Sequence, residues 1–235
     1  MNNILKTILL ADPIKNIATS GFFSNYDLKE FYIENNSAIL FGTSDNFWAH
    51  IVSNSENDTK QLLARYHAKT KFYYSVEDCW LPLILKYGET EWIMTTSRYI
   101  LDKDVAIPVS ETLFISLNEL HALTIYSNSE YKKYTSVAYI LDRLKKDISV
   151  GIIENKKLIA WGFTHDDGAL GFLHVLDDYR KKGYGRDILI KLIVLKRKKD
   201  LPVFCNIVPE NEKAIHLVTK LGFKFDRKVS WVKLK

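Results

Sequence analysis

The chain has 235 residues, enough for one large domain or two small ones with a substantial core. With 47% hydrophobic and 26% charged residues it has the composition of a globular protein, which excludes a low-complexity chain. The net charge of +5 is unevenly placed: residues 151–235 hold 18 Lys and Arg against 10 Asp and Glu, whereas residues 1–150 hold 15 against 18. This asymmetry indicates that an anionic ligand binds the C-terminal part.

The N-terminal apolar stretch, residues 4–11, is interrupted by a lysine and ends at an Asp-Pro pair, so it is too short to span a bilayer. It also lacks the features of a signal peptide, and we expect a cytoplasmic protein with no membrane partner. Cys79 and Cys205 stand far apart in apolar surroundings, which favours reduced, buried thiols and leaves a disulfide open. The cysteines and histidines show no metal-ligand spacing, so we expect no metal.

Residues 1–101 predict the element order β-β-α-β-α-β after an N-terminal region of helix and loop. Within that region, Asp27 is the expected cap of a helix over residues 28–32. The other predicted elements are a hairpin at 38–42 and 47–52, a helix at 58–67, a strand at 71–75, a helix capped by Ser75 and ended by Gly88, and a strand at 91–101.

Residues 102–116 have the composition of a linker, which divides the chain into expected domains at 1–110 and 111–235. From residue 117 the predicted order is α-α-β-β-β-α-β-α-β. These elements are helices at 117–126 and 131–146, a hairpin at 150–154 and 158–164, a strand at 169–175, a helix at 186–196, a strand at 202–208, a helix at 211–221 and a strand at 223–234.

A basic, glycine-containing loop joins the predicted strand at 169–175 to the helix that follows. Gly183 and Gly185 allow a tight turn, and the backbone N–H groups of a loop before a helix suit an anion. The loop matches neither the P-loop nor the dinucleotide fingerprint, whose third glycine would fall at Ile188. A solvated basic turn is the plain alternative for such a loop taken alone.

Two motifs in this region resemble those of the GNAT N-acyltransferases. Arg180-x-x-Gly183-x-Gly185 resembles the coenzyme A pyrophosphate loop of that superfamily. Downstream, Asn211-x-x-Ala214 opens a predicted helix that ends in Leu-Gly-Phe, which resembles the second GNAT motif. The resemblance implies an α/β (α+β) fold with a central mixed sheet.

The resemblance also implies acetyl-CoA or another short acyl-CoA as co-substrate. It would enter a cleft beside the fourth strand of the fold, where two strands part and their backbone groups are free to pair with the pantetheine arm. The residues implied in cofactor binding are Leu173, His174, Val175, Arg180, Lys181, Lys182, Gly183, Tyr184, Gly185, Arg186, Asn206 and Asn211.

Within the superfamily, the sequence around Trp161, Leu-Ile-Ala-Trp-Gly-Phe-Thr, is similar to the glycine N-acyltransferase-like branch. This similarity covers residues 115–235. The first hundred residues resemble the branch only weakly, and their β-α alternation is compatible with a smaller, degenerate GNAT-like half.

The two proton carriers that many GNAT enzymes use are missing. The position of the usual Tyr, which protonates the leaving thiolate, is Val218, and the position of the usual Glu base is Ala169. His165 and Asp167, in the turn before the fourth strand, are the catalytic candidates that remain, although such a turn is commonly just solvated. His174, Glu210 and Tyr184 have plainer explanations in packing, helix capping or solvent exposure.

We therefore expect an acyl-CoA-dependent N-acyltransferase that acylates a primary amine of a small molecule such as an amino acid. The missing proton carriers keep a second hypothesis open, a coenzyme A-binding protein without turnover. A basic interaction module is the third, but the basic run at 196–199 falls at a helix end, where cations are favourable. We expect no nucleic-acid partner, and the sequence specifies no oligomeric state.

Overall fold

The computed structural model describes residues 3–235. It divides the chain into two compact units, one made of Met1–Arg98, Ile207–Asn211 and Phe225–Lys235, and one made of Tyr99–Asn206 and Glu212–Lys224. The units therefore do not follow a single cut of the chain, because residues after 206 contribute to both.

The first unit is built mainly from nine consecutive elements and the last strand of the chain. The helices are α1 (Asn3–Leu10), α2 (Ile17–Asn25), α3 (Glu56–Tyr66) and α4 (Leu81–Ile84); the strands are β1 (Leu28–Glu34), β2 (Ser37–Thr43), β3 (Phe47–Val52), β4 (Phe72–Glu77), β5 (Thr90–Leu101) and, from the end of the chain, β10 (Lys224–Leu234).

Its sheet has the order β1-β2-β3-β4-β10-β5. Strands β3 and β4 are parallel, whereas β1–β2, β2–β3 and β4–β10 are antiparallel. Aromatic and aliphatic side chains fill the core on both sides of this sheet. The predicted hairpin at 38–42 and 47–52 is confirmed as β2 and β3.

Two predictions in the first unit were wrong. Residues 28–32 form the strand β1 rather than a helix, because Phe31, Tyr32 and Ile33 pair with β2. Ser75 lies inside β4 with a φ of 48° instead of capping a helix, and the helix α4 begins only at Leu81. In both cases, strand pairing overrode a local pattern that also fits a helix.

The second unit contains eight further elements. They are α5 (Ala122–Ser127), α6 (Val137–Lys146), β6 (Ser149–Glu154), β7 (Lys157–Thr164), β8 (Leu170–Val175), α7 (Tyr184–Lys198), β9 (Val203–Ile207) and α8 (Glu212–Lys220). The first two helices are shorter than predicted. Asn118 caps a 3-10 turn that precedes α5, and Ser136 caps α6.

The strands of the second unit have the order β9-β8-β7-β6. Strands β6–β7 and β7–β8 are antiparallel, and β8–β9 are parallel. The side chains of Trp161 and Phe163 on β7 pack with α5 and α6, whereas Gly162 between them approaches Ile188 and Leu192 of α7. Helices thus cover both faces of β7, and α7 leads directly out of the loop that follows β8.

The two runs of elements repeat the same order. From α1 to β5 the order is α-α-β-β-β-α-β-α-β, and from α5 to β10 it is again α-α-β-β-β-α-β-α-β. The sequence had predicted this order only for the second run, because α1, α2 and β1 were not resolved as separate elements.

Neither a bilayer-spanning helix nor a metal site is found in residues 3–235. None of their helices is both long and apolar enough to cross a membrane. No three His, Cys, Asp or Glu side chains of the same residues gather where they could hold a metal ion.

Candidate functional site

Strands β8 and β9 separate after a single pair. Among the described strands, they pair only at Leu170 and Cys205, although β8 continues to Val175 on the edge that it shares with β7. Beyond Leu170, the other edge of β8 is therefore open. Backbone N–H and C=O groups on an open edge can pair with an extended amide-containing ligand.

A bulge in β8 lies next to this split. The register between β7 and β8 shifts between Trp161 and Phe163, and Phe172 has a φ of 49°, which is unusual for a bulky residue. Its ring stacks on Phe163 with 4.1 Å between the centroids. Strained backbone of this kind concentrates at functional sites, where it directs a backbone group toward a ligand.

The position of the His165 ring requires a glycine at residue 171 of β8. A Cβ atom there would lie 2.1 Å from Nε2 of His165, far inside van der Waals contact. The glycine thus lets the His165 ring lie across the backbone just before the bulge.

Leu173, His174 and Val175, the predicted cofactor strand, continue β8 along the open edge. All three are half-buried. The His174 ring stacks on Trp161 at 4.6 Å, and burial lowers the pKa of His174 below its usual 6.5. His174 thus packs on Trp161 of β7. The backbone groups of this segment that face the open edge remain available to a ligand, except for the Val175 carbonyl, which accepts a hydrogen bond from Arg180.

One of the two loop glycines, Gly183, has the positive φ that the sequence predicts, whereas Gly185 lies inside α7, which starts two residues before the predicted position. Lys181 and Gly183 have φ values of 62° and 89°, and α7 begins at Tyr184 with Gly183 as its N-cap. Within the described residues, the first backbone bond of the helix runs from Asp187 N to the Gly183 carbonyl, and the N–H groups of Tyr184, Gly185 and Arg186 have no backbone acceptor. The end of α7 therefore presents free donors and the positive end of the helix dipole.

Four basic side chains belong to the same loop and to the first turn of α7. Arg180 donates to the Val175 carbonyl and pairs with Asp177 at 2.8 Å, which holds its guanidinium at the end of β8. Lys181, Lys182 and Arg186 are exposed. The Tyr184 hydroxyl donates to Glu154, so this ring is tied to the β6–β7 hairpin rather than directed at the loop.

The two asparagines of the predicted site lie in β9 and just before α8. Asn206 follows Cys205 in β9, directly beyond the last β8–β9 pair. Asn211 precedes α8 and belongs to the first unit, where its N–H donates to the Val208 carbonyl.

Of the two catalytic candidates, His165 is a poor base. Its Nδ1 lies 3.5 Å from the Tyr139 hydroxyl, and burial, with a smaller contribution from the charge of Arg143, lowers its pKa to about 4. The imidazole is neutral at physiological pH, but its low basicity does not favour proton transfer from an amine.

Asp167 is fully buried rather than solvated. Its carboxylate accepts the Ala169 N–H at 2.8 Å and an N–H of Asn206 at 3.4 Å. Burial, and secondarily the neighbouring Asp166, raises its pKa to about 7. The Ala169 bond places this carboxylate beside the position where the resemblance puts the usual glutamate base.

Lys196 is a site residue that the sequence interpretation missed. It is 2% exposed, its ammonium donates to the Gly168 carbonyl, and burial lowers its pKa to about 8. The signal was present, because Lys196 follows the buried Leu192 and Ile193 at helical spacing and therefore shares their face. The predicted basic run at 196–199 is thus not a uniformly solvated helix end.

The two positions where the resemblance places the usual GNAT tyrosine and glutamate carry no titratable side chain. Val218 on α8 and Ala169 before β8 are both buried. Any acid or base at this site must come from another residue or from solvent.

The comparisons with known proteins point to one fold. A family model described as FR47-like protein matches residues 149–232, whereas no protein of curated function matches the chain. A Drosophila structure is 16% identical with a TM-score of 0.79, and the alignment covers 99% of this chain and 94% of that chain.

Two further structures carry GNAT descriptions. A GCN5-related N-acetyltransferase-like protein from Streptococcus suis is 14% identical with a TM-score of 0.57, covering 99% of this chain and 98% of its own. A tandem GNAT protein from the clavulanic acid biosynthesis pathway is 14% identical with a TM-score of 0.55, covering 93% and 87%. Together with the split, the bulge and the loop, these similarities show that the chain has the GNAT fold, with an FR47-like segment over residues 149–232.

Proposed function

We propose that the protein is an acyl-CoA-dependent N-acyltransferase that uses acetyl-CoA or another short acyl-CoA. The observation that carries the proposal is the combination, within one unit, of an open β8 edge, a bulge at Phe172 and a helix N-terminus with free donors. Each of these features suits one part of an acyl-CoA molecule. The FR47-like match covers the same residues.

The residues at the start of α7 and along the open edge of β8 fit acyl-CoA. The N–H groups at the start of α7, with Lys181, Lys182 and Arg186, suit a pyrophosphate, because they combine backbone donors, a helix dipole and positive charge. The open edge at Leu173–Val175 suits the amides of the pantetheine arm. The bound acyl-CoA supplies an activated thioester, and the protein positions it.

The proposed reaction is direct attack of a neutral primary amine in a ternary complex. Holding the two reactants in the correct orientation can lower the activation barrier by about 7–11 kcal/mol. Acid-base help contributes only about 10²–10⁴-fold. The absence of side-chain proton carriers at Val218 and Ala169 is therefore compatible with turnover.

The acceptor that we propose is a small molecule such as an amino acid, following the resemblance to the glycine N-acyltransferase-like branch. The Trp161 of that resemblance is 1% exposed and packs in the core. Trp161 is therefore part of the core and does not contact the substrate. Both cysteines are free, and Cys205 is buried as predicted whereas Cys79 is exposed, so the prediction of a buried thiol was wrong for Cys79. We propose a cytoplasmic location.

We also propose that the first unit is a degenerate copy that binds no coenzyme A. Its loop between β3 and α3 has no glycine, and the Ser55 hydroxyl already accepts the Asp58 N–H at the start of α3. The Asp58 carboxylate is buried there, and Lys15 donates to the carbonyl of Ser53 and the side chain of Asn54. A carboxylate at the helix N-terminus opposes an anionic ligand.

A coenzyme A-binding protein without turnover is the second function that we consider, because Val218 and Ala169 replace both usual proton carriers. A panel of primary amines with acetyl-CoA separates the two functions. We expect amine-dependent release of free coenzyme A, detected with a thiol reagent. Binding of acetyl-CoA without thiol release above the rate of spontaneous hydrolysis, for every amine tried, would favour the second function.

A further inference from the structure

Asn206 has an unusual position in the second unit. It is the first residue of β9 beyond the Leu170–Cys205 pair, so it lies where the two strands begin to part. Its amide oxygen Oδ1 is buried and has no hydrogen-bond partner among the described residues. Buried polar atoms are nearly always paired, so an acceptor without a protein partner at the start of a cleft can accept a hydrogen bond from a ligand or from water.

The ionised Asp167 carboxylate determines which end of the Asn206 amide faces it. Nδ2 of Asn206 donates to Oδ2 of Asp167 at 3.4 Å. An ionised carboxylate only accepts hydrogen bonds, so the amide nitrogen must face it and the amide oxygen must face away. Turning the amide over would place two acceptors against each other.

Asp167 is itself held on two sides. Its other oxygen accepts the Ala169 N–H, and the ammonium of Lys196 binds the carbonyl of the neighbouring Gly168. The turn before β8 is therefore pinned to α7 and, through Asn206, to β9. Such support is what a group needs in order to hold a reacting atom in a narrow range of positions.

We propose that Asn206 Oδ1 accepts a hydrogen bond from the attacking amine, and that Asp167 positions the Asn206 amide for this contact. The inference rests on the acyltransferase function proposed above. The Asn206 side chain as a whole is partly exposed although Oδ1 itself is buried, so the contact requires the amide to turn about its bond with Asp167 until the oxygen reaches the open side of the split. Asn206 is the residue that touches substrate, and Asp167 is a positioning residue.

The chemistry balances without proton transfer to either residue. The neutral amine nitrogen attacks the thioester carbonyl carbon, a C–N bond forms and the C–S bond breaks. The proton that the nitrogen loses ends on the thiolate by way of solvent. Asn206 keeps one N–H directed toward its oxygen, which turns the nitrogen lone pair toward the carbonyl carbon.

Asn206→Ala tests the contact directly. We expect kcat/KM for the amine to fall by about 10- to 100-fold, while the affinity for acetyl-CoA measured by titration calorimetry stays within about twofold. Asn128→Ala is the matched control, since its amide only caps the end of α5 by donating to Thr124. Circular dichroism and thermal melting check that both variants fold.

Asp167→Asn tests the positioning role. In the native protein, Asp167 faces Asp166 in its own turn, Lys196 from α7, Arg143 from α6 and Asn206 from β9. Its pKa is raised to about 7, so below that pH the carboxylate is protonated and holds Asn206 less firmly. With a weakly basic amine, and with kcat/KM referred to the concentration of its neutral form, we expect kcat/KM to fall as the pH drops through 7, and Asp167→Asn to remove this dependence.

The outcomes separate the two proposals. Thiol release by the native protein, together with unchanged amine kinetics in Asn206→Ala, would overturn the role of Asn206 and leave the function intact. A loss of acetyl-CoA affinity in Asn206→Ala, with the amine parameters unchanged at saturating cofactor, would assign the oxygen to the cofactor instead. No thiol release by the native protein with any amine would contradict the acyltransferase function itself.

Discussion

Replacing Gly183 and Gly185 together with aspartate should abolish acetyl-CoA binding, with a loss of at least about 100-fold in affinity. Both new carboxylates would lie at the positive end of α7, where the pyrophosphate is expected, and would repel it. Gly183 also has a φ of 89°, which an aspartate adopts only with strain. Titration calorimetry of the purified variant measures the effect.

The control for this variant adds the same charge elsewhere in the second unit. Ser127→Asp with Asn155→Asp places two carboxylates on exposed positions at the end of α5 and in the β6–β7 turn. We expect the control to bind acetyl-CoA with nearly native affinity. Equal affinities of the native protein and the glycine variant would show that the ligand, if it binds, does not use the loop.

Asp147→Ala should destabilise the protein by about 3–5 kcal/mol. Arg143 on α6 is fully buried, and its guanidinium lies 3.2 Å from the Asp147 carboxylate, which also accepts the Thr164 hydroxyl at 2.7 Å. Removing the carboxylate breaks this ion pair of the buried Arg143 and takes away the acceptor of the Thr164 hydroxyl. Urea denaturation followed by circular dichroism gives the change in the free energy of unfolding.

Asp142→Ala is the matched control in the same helix. Asp142 and Lys146 form an ion pair with the same sequence spacing, but both side chains are more than a third exposed. We expect a change within about 0.5 kcal/mol. Similar losses in the two variants would mean that the burial of Arg143 does not determine the importance of its partner.

The sequence predicted the parts of the site that are local in the chain. The loop from Arg180 to Arg186 is specified by two glycines and their basic neighbours, and the positive φ of Gly183 was expected, whereas α7 starts at Tyr184, two residues before the predicted start. The hairpins and the order of elements from residue 117 are equally local, because turn residues and apolar periodicity lie next to one another.

The sequence could not predict contacts between distant segments. The burial of Asp167 depends on α7 and β9, and its bond with Asn206 joins residues 39 positions apart. The strand β1 was read as a helix because Leu28 and Tyr32 also fit helical spacing, and only pairing with β2 decides between the two. The bulge at Phe172 likewise depends on register with β7, which no single segment encodes.

Titration calorimetry of the native protein with acetyl-CoA, compared with acetyl-pantetheine, tests the central claim most directly. We predict one binding site per chain for acetyl-CoA and much weaker binding of acetyl-pantetheine, which lacks the pyrophosphate that the α7 N-terminus would hold. No heat of binding at millimolar acetyl-CoA, or equal affinities for the two ligands, would contradict the assignment of the loop.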